Sequence, residues 1–212
     1  MESVALVTQS DVPTLVEVAD TVYPDIFEEA GVEIVATETF LGTDTDFTAL
    51  ASKVVGTDPD LIILLGQGTP NVTVSTAILN QGYDGFVGGS AGFANGVLEP
   101  LGASADGFTW PTDFSVDGPA ESTQEFVAYY EEKHGEAPGA FAAETWDAVL
   151  LFAYGIANAE NPTDRESVLD GIREAAESGY DGAVGAITFE GRDARIDGIL
   201  VEWRDGAVSV VD

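Results

Sequence analysis

The chain has no cysteine, one histidine and only seven basic residues: Lys53, Lys133, Arg165, Arg173, Arg192, Arg195 and Arg204. Without cysteine neither disulfides nor thiolate chemistry is available, and the redox compartment is left open. So little positive charge cannot neutralise a run of phosphates, which excludes nucleic acid as a partner. No apolar run is read here as long enough to cross a membrane. No signal peptide is read either. The chain opens Met1-Glu2-Ser3 and enters a strand at once, which fits a cytoplasmic protein and equally a piece of a longer exported precursor.

What is abundant is carboxylate: 38 acidic residues give a net charge of −31. Acidic chains with little apolar content are disordered, but this one is 45% hydrophobic and keeps regular apolar periodicity and three tryptophans. The charge therefore describes a solvated carboxylate surface held against self-repulsion by abundant salt, as in extreme halophiles. With 212 residues and 24 glycines, an ordered α/β protein of one large domain or two lobes is expected.

The stretch Pro59 to Asn71 organises the rest. Leu61-Ile62-Ile63-Leu64-Leu65 is too short for a globular helix and suits a strand buried on both faces of a parallel sheet. Gly66 and Gly68 end it. A helix follows, with Thr69 as N-cap, Pro70 in its first turn, and Val72, Thr76 and Leu79 at helical spacing. Ligands of open α/β sheets sit at the carboxyl ends of such strands, so this turn is expected to form one wall of a cleft. Around it, strand and helix signals alternate. Val4 to Val7 is a strand. A helix carries Leu15, Val18, Val22, Ile26 and Phe27 inward and stops at Gly31. Val32 to Thr39 is a strand, and Asp44-Thr45-Asp46 caps a helix that Gly56 closes. Short strands follow at Phe86 to Gly89 and Gly107 to Trp110. Repeated βα units of this kind predict a doubly wound parallel sheet. Beyond Pro111 come helices over Ser122 to His134 and Ala142 to Ala159, then one that Thr163 caps. Asp205-Gly206 turns a closing hairpin. Ala143 to Ala157 is apolar round much of its circumference and is expected to be covered on more than one side, with Trp146 in a core.

The order and spacing of several segments carry a resemblance: "GTDTDFTAL" (Gly42 to Leu50), "DPDLIILLG" (Asp58 to Gly66), "NQGYDG" (Asn80 to Gly85), "ETWDAVLLFAYGIANA" (Glu144 to Ala159), "GAITFEGRDARIDG" (Gly185 to Gly198) and "VEWRDG" (Val201 to Gly206). Together they resemble the type I periplasmic binding proteins of the branched-chain amino acid ABC transporter class, over about the C-terminal two-thirds of such a protein. The resemblance implies a Rossmann-like lobe formed by residues 1–110 plus 198–212. Residues 111–197 would be the returning part of a partial other lobe, with hinge crossings near Pro111 and Gly198. It implies an extracytoplasmic, non-catalytic binding protein that closes two lobes around a small amino-acid-like ligand and presents it to a membrane permease. No cofactor or metal is implied. The family's ligand contacts fall here on Gln9, Ser10 and Thr14, on Gln67, Gly68 and Thr69, and on Ser90. Where amino-acid-binding members carry tyrosine or a carboxylate, this chain has Pro13 or Thr14, Gly68 and Ser90, which points to a less cationic ligand. With much of the first lobe unmatched, apolar surface between Phe126 and Ile172 is expected to drive self-association.

Rival readings rest on single motifs. Gly88-x-Ser90-x-Gly92 after a strand matches the nucleophile elbow of α/β-hydrolases, for which His134 would have to be the base. Gly66-x-Gly68 lacks the third glycine of a dinucleotide fingerprint. Asp44-Thr45-Asp46 and Asp58-Pro59-Asp60 suit caps and solvated turns better than a cation site. A sensor domain of the same fold would share every motif named.

Overall fold

The computed structural model describes residues 1–94 and 96–211, which form two compact units: 1–111 with 200–211, and 112–199. In the first unit β1 (Ser3–Gln9) leads through α1 (Pro13–Glu17), a π-helical turn (Val18–Val22) and α2 (Tyr23–Ala30) into β2 (Glu33–Phe40). Then come α3 (Thr48–Val55), β3 (Leu61–Leu65), α4 (Thr69–Asn80), β4 (Phe86–Gly89), two 3₁₀ segments (Ala91–Phe93 and Glu99–Ala105) and β5 (Thr109–Thr112). The second unit holds α5 (Glu121–His134), α6 (Ala140–Asn158), α7 (Arg165–Ser178), β6 (Tyr180–Gly182), β7 (Gly185–Glu190) and β8 (Asp193–Ile196). The chain closes with β9 (Ile199–Arg204) and β10 (Ala207–Val210).

The expected doubly wound sheet is present, with strand order β10-β9-β5-β4-β3-β1-β2 and parallel pairing from β2 through β5. β3 lies in its interior, between β4 and β1, because both its faces are apolar: Ile62, Leu64 and Leu65 are essentially fully buried, each worth about 1.5–3 kcal/mol. The register levels the carboxyl ends of four strands, pairing Gln9 with Phe40, Thr8 with Leu65 and Leu64 with Gly89. Three turns therefore emerge side by side at one edge. β5 starts two residues later than its sequence signal, and Asp205 and Gly206, both at positive φ, make the β9–β10 turn as expected.

Helix phase departs from expectation in three places. Val22 and Ile26 face solvent; Leu15 and Phe27 are inward as expected and, joined by Ala19 and Tyr23, pack on β1 and β3. Steps of four residues overshoot a 3.6-residue turn, and the wider π turn takes up the excess. In α4 the buried face is Asn71, Val74, Ser75 and Ile78, and the N-cap is Gly68 rather than Thr69. α7 is capped by Asp164, whose carboxylate accepts from Ser167 N at 2.9 Å, not by Thr163.

In the second unit, Asp147 is buried and accepts from Ala183 N at 2.6 Å and Val184 N at 3.0 Å, tying α6 to the β6–β7 turn. Burial nevertheless pushes its carboxyl above the ordinary value, against those two donors. α6 itself differs from expectation twice. With 19 residues at mean hydropathy 1.2 it is long and apolar enough to cross a membrane, by length and composition. Its outer side is also uncovered: Trp146 touches Phe126 and Tyr129 but stays 40% exposed, so it does not lie in a core.

Candidate functional site

The site is built where β1, β3 and β4 end. After β3, Gly66 continues the buried strand and Gly68 turns the chain at φ 62, ψ −144, a region open only to glycine. That turn exposes Gln67, Gly68 and Thr69 ahead of α4, whose first N–H groups have no side-chain cap. A positive dipole end faces outward there, with Thr69 N as its free donor, since Pro70 has no N–H and Asn71 N donates to Gly68 O at 3.1 Å.

Asn71 holds the turn to its neighbour. It is fully buried, and its Nδ2 donates to Gly66 O and to Gly92 O, both at 2.9 Å. A Cβ at Gly92 would run into the Gly66 carbonyl, so the turn after β4 approaches the turn after β3 as closely as backbone allows. Ser90 sits on the second of these turns. Its hydroxyl donates to Gly66 O at 3.3 Å and accepts from Gly92 N at 3.2 Å.

On the other side Gln9, the last residue of β1, is buried, and its Oε1 accepts from Gln67 N at 3.0 Å. Asp11 accepts from Gly42 N at 3.0 Å and from the Gln9 amide, and these two donors, Gly42 first, hold its exposed carboxyl below the ordinary value. Ser10 turns toward β2, donating both Oγ and N to Phe40 O. Thr14 stands exposed on the first turn of α1.

The structure thus gathers Gln9, Gln67, Gly68, Thr69 and Ser90 into one hydrogen-bonded surface. Ser10 is directed to the β2 end, and Thr14 lies on α1 outside this network. Asn71 and Gly42 join it without having been picked out as contacts, and so does Asp11 of the expected Gln9–Thr14 loop. The i, i+3, i+4, i+7 series beginning at Asn71 was the signal for the first of these.

The elbow reading of Ser90 is not supported. A nucleophile elbow is a strained turn into a helix. Ser90 is extended at φ −97, ψ 179, and a 3₁₀ segment of only three residues follows. Its hydroxyl is engaged in both directions, and His134, at the end of α5, stacks on Tyr130 with 4.3 Å between ring centroids. The acidic pairs sit in turns, and the N-cap of α3 is Phe47 rather than the expected Asp44-Thr45-Asp46: Asp46 accepts from Thr48 N, Asp44 from Leu41 N, and Asp60 from Glu2 N and Ser3 N.

Residues 1–207 match the family model described as periplasmic binding protein. No curated protein matches the chain. Among solved structures, a leucine binding protein LivK from Thermotoga maritima is similar over 100% of this chain at 24% identity and TM-score 0.88. The branched-chain amino acid transporter substrate binding protein LivJ from Streptococcus pneumoniae, in complex with isoleucine, is similar over 99% at 26% identity and TM-score 0.83. A solute binding protein of an ABC transporter from R. palustris, in complex with benzoate, is similar over 100% at 17% identity and TM-score 0.86. The chain spans about 60% of the length of the first two and 58% of the third.

Proposed function

Because this chain belongs to the periplasmic binding protein family, we propose that it is part of the extracytoplasmic solute-binding component of an ABC transporter, serving amino acids or related small polar solutes. One observation carries the reading. Turns from three adjacent strands are stitched into a single surface at the carboxyl edge of a parallel sheet, with an uncapped helix end in its middle.

Gln67, Gly68, Thr69 and Ser90 are the contacts proposed for the ligand, with Ser10 and Thr14 at the rim. Gln9 has its amide engaged on both sides and acts mainly by presenting Gln67. Residues 1–111 with 200–211 are the ligand-bearing lobe in this reading, and residues 112–199 belong to the other. The T. maritima relative is named for leucine, the S. pneumoniae one holds isoleucine and the R. palustris one holds benzoate. The absence of tyrosine or carboxylate at Thr14, Gly68 and Ser90 favours a ligand without a strongly held ammonium. A membrane permease is the proposed partner.

The chain spans about 60% of such relatives, so it supplies only part of their contacts. We expect residues 1–212 to bind no better than about millimolar, the level of few desolvated contacts. Isothermal titration in molar KCl against amino acids, aromatic carboxylates, sugars and short amides tests this. Weak saturable heats with one of the first two classes are expected. Micromolar binding of a sugar would contradict the ligand class, and micromolar binding of any solute would contradict the partial site.

A further inference from the structure

We propose that Asp11 is a positioning residue for the ligand surface: acting through the side-chain amide of Gln9, it sets the backbone N–H of Gln67 and so couples the loop after β2 to the turn after β3. The observations form a line of contacts across three loops. Gln67 N donates to Gln9 Oε1 at 3.0 Å, the other end of that amide donates to Asp11, and Asp11 Oδ1 accepts from Gly42 N at 3.0 Å. Both ends of the line are anchored. On the β1 side Ser10 donates N and Oγ to Phe40 O at 2.8 and 2.9 Å, which holds Asp11 beside the end of β2. On the β2 side Leu41 and Asp44 close a turn, Leu41 N on Asp44 Oδ2 at 2.8 Å and Asp44 N on Leu41 O at 2.9 Å, and Gly42 lies within it. Gly42 packs against the junction itself. A Cβ there would lie 2.6 Å from Gln9 Nε2 and 3.1 Å from Asp11 Oδ2, so a side chain at this position would part the amide from the carboxylate.

An amide can turn either end toward Gln67 N, and only one end accepts. With Oε1 there a hydrogen bond forms; turned over, Nε2 and Gln67 N are two donors facing each other. A carboxylate only accepts, so Asp11 keeps Nε2 on its own side and Oε1 on the other. Gln9 is 7% exposed, which leaves water little room to take that part. Asp11 belongs to none of the five ion pairs among the described residues, and its partners are neutral N–H groups, so molar salt has no ion pair here to screen. The loop after β2 thereby bears on the turn after β3, although β1 lies between their strands.

The test reads Gln67 directly, by ¹⁵N-resolved hydrogen exchange of the full 212-residue chain in molar KCl. Asp11→Ala should speed exchange of the Gln67 amide about tenfold, the protection of roughly one hydrogen bond. The amides of Ile62 and Leu64 in β3 should keep their rates, which separates the effect from general loosening. Gln9→Glu should also speed Gln67, because its carboxylate meets that of Asp11. Gln9→Glu combined with Asp11→Asn should bring Gln67 back toward the wild-type rate: the amide at position 11 then donates to the carboxylate at position 9, whose other oxygen still accepts from Gln67 N. Asp46→Ala is the control, since Asp46 also accepts from a backbone N–H, Thr48 N, in the loop after β2, and Gln67 should not respond to it. The proposal is overturned if Asp11→Ala leaves Gln67 unchanged, if the double variant only compounds the losses, or if Asp46→Ala acts as strongly. Its bearing on binding rests on the ligand surface proposed above. Whichever of leucine, isoleucine and benzoate moves the Gln67 amide should bind Asp11→Ala about tenfold more weakly, and equal affinity would overturn the link to ligand. No shift with any of the three in the unsubstituted chain would strike down the ligand surface instead, while the exchange rates still decide the place of Asp11.

Discussion

Asn71 sits between two glycine carbonyls, and one amide nitrogen serves both. Replacing it with aspartate keeps the shape but turns both donor contacts into facing lone pairs and buries a charge. Asn71→Asp should lower unfolding free energy by at least about 2 kcal/mol in urea titrations, the cost of orphaned buried carbonyls. An unchanged urea midpoint would remove Asn71 from the account. Gly31 and Asp205-Gly206 were legible in the sequence because positive φ leaves a compositional mark, and both turn as expected. For Asn71 only its burial had a mark, the helical series it opens; its role was not legible, because a buried polar side chain is recognised by its partners, here 5 and 21 residues away. Among the expected contacts, the sequence brought Gln67, Gly68, Thr69 and Ser90 to one edge. It could not distinguish Gln9, which is spent on Gln67 N and Asp11, from a residue free to meet a ligand.

Strands were read more faithfully than helix faces. β3 and β4 match their signals residue for residue, since a continuous apolar run bounded by glycine admits few alternatives. β6, β7 and β8 escaped notice as strands because β6 and β8 are only three and four residues long, and β7, though it alternates buried and exposed positions, has only Ile187 and Phe189 as large apolar residues. The segment from Pro13 to Ala30 was recognised as helical with Leu15 and Phe27 inward, but Val22 and Ile26 were put on the buried face too, because regular α spacing cannot announce a π turn. A deletion follows from that geometry. Removing one residue within Val18–Val22 should convert the π turn to α and leave Leu15, Tyr23 and Phe27 still inward. The same deletion in α4 would rotate Val74 and Ile78 off the sheet. Thermal melts should show the α4 deletion to be much the more damaging, and equal losses would contradict the role given to the π turn.

Across the whole molecule, charge repulsion is the force that the fold's own contacts balance least. The five ion pairs among the described residues all have at least one partner half or more exposed, such as Lys53–Glu38 and Arg195–Glu190, and pairs of this kind contribute at most about 1 kcal/mol each. They cannot offset the mutual repulsion of 38 carboxylic residues. At about 0.01 M salt the screening length reaches roughly 30 Å and the whole acidic surface interacts. Partial unfolding in dilute buffer and recovery in molar KCl are therefore expected by circular dichroism, and an identical melting temperature at both salt levels would contradict the halophilic reading. The fold class was legible from the alternation of elements and so was exposed apolar surface between Phe126 and Ile172, while the exposure of Trp146 was not, since apolar periodicity marks a face without saying what lies against it. The central claim, that ligand rests on the turns after β1, β3 and β4, is tested most directly by ¹⁵N-resolved NMR of the chain in high salt, titrated with leucine, isoleucine and benzoate to tens of millimolar. Shifts confined to Gln67, Gly68, Thr69, Ser90 and their neighbours Gln9 and Gly92 are predicted for at least one of the three. Saturable shifts that leave those amides still and gather in residues 112–199, or none with any of the three, would contradict it.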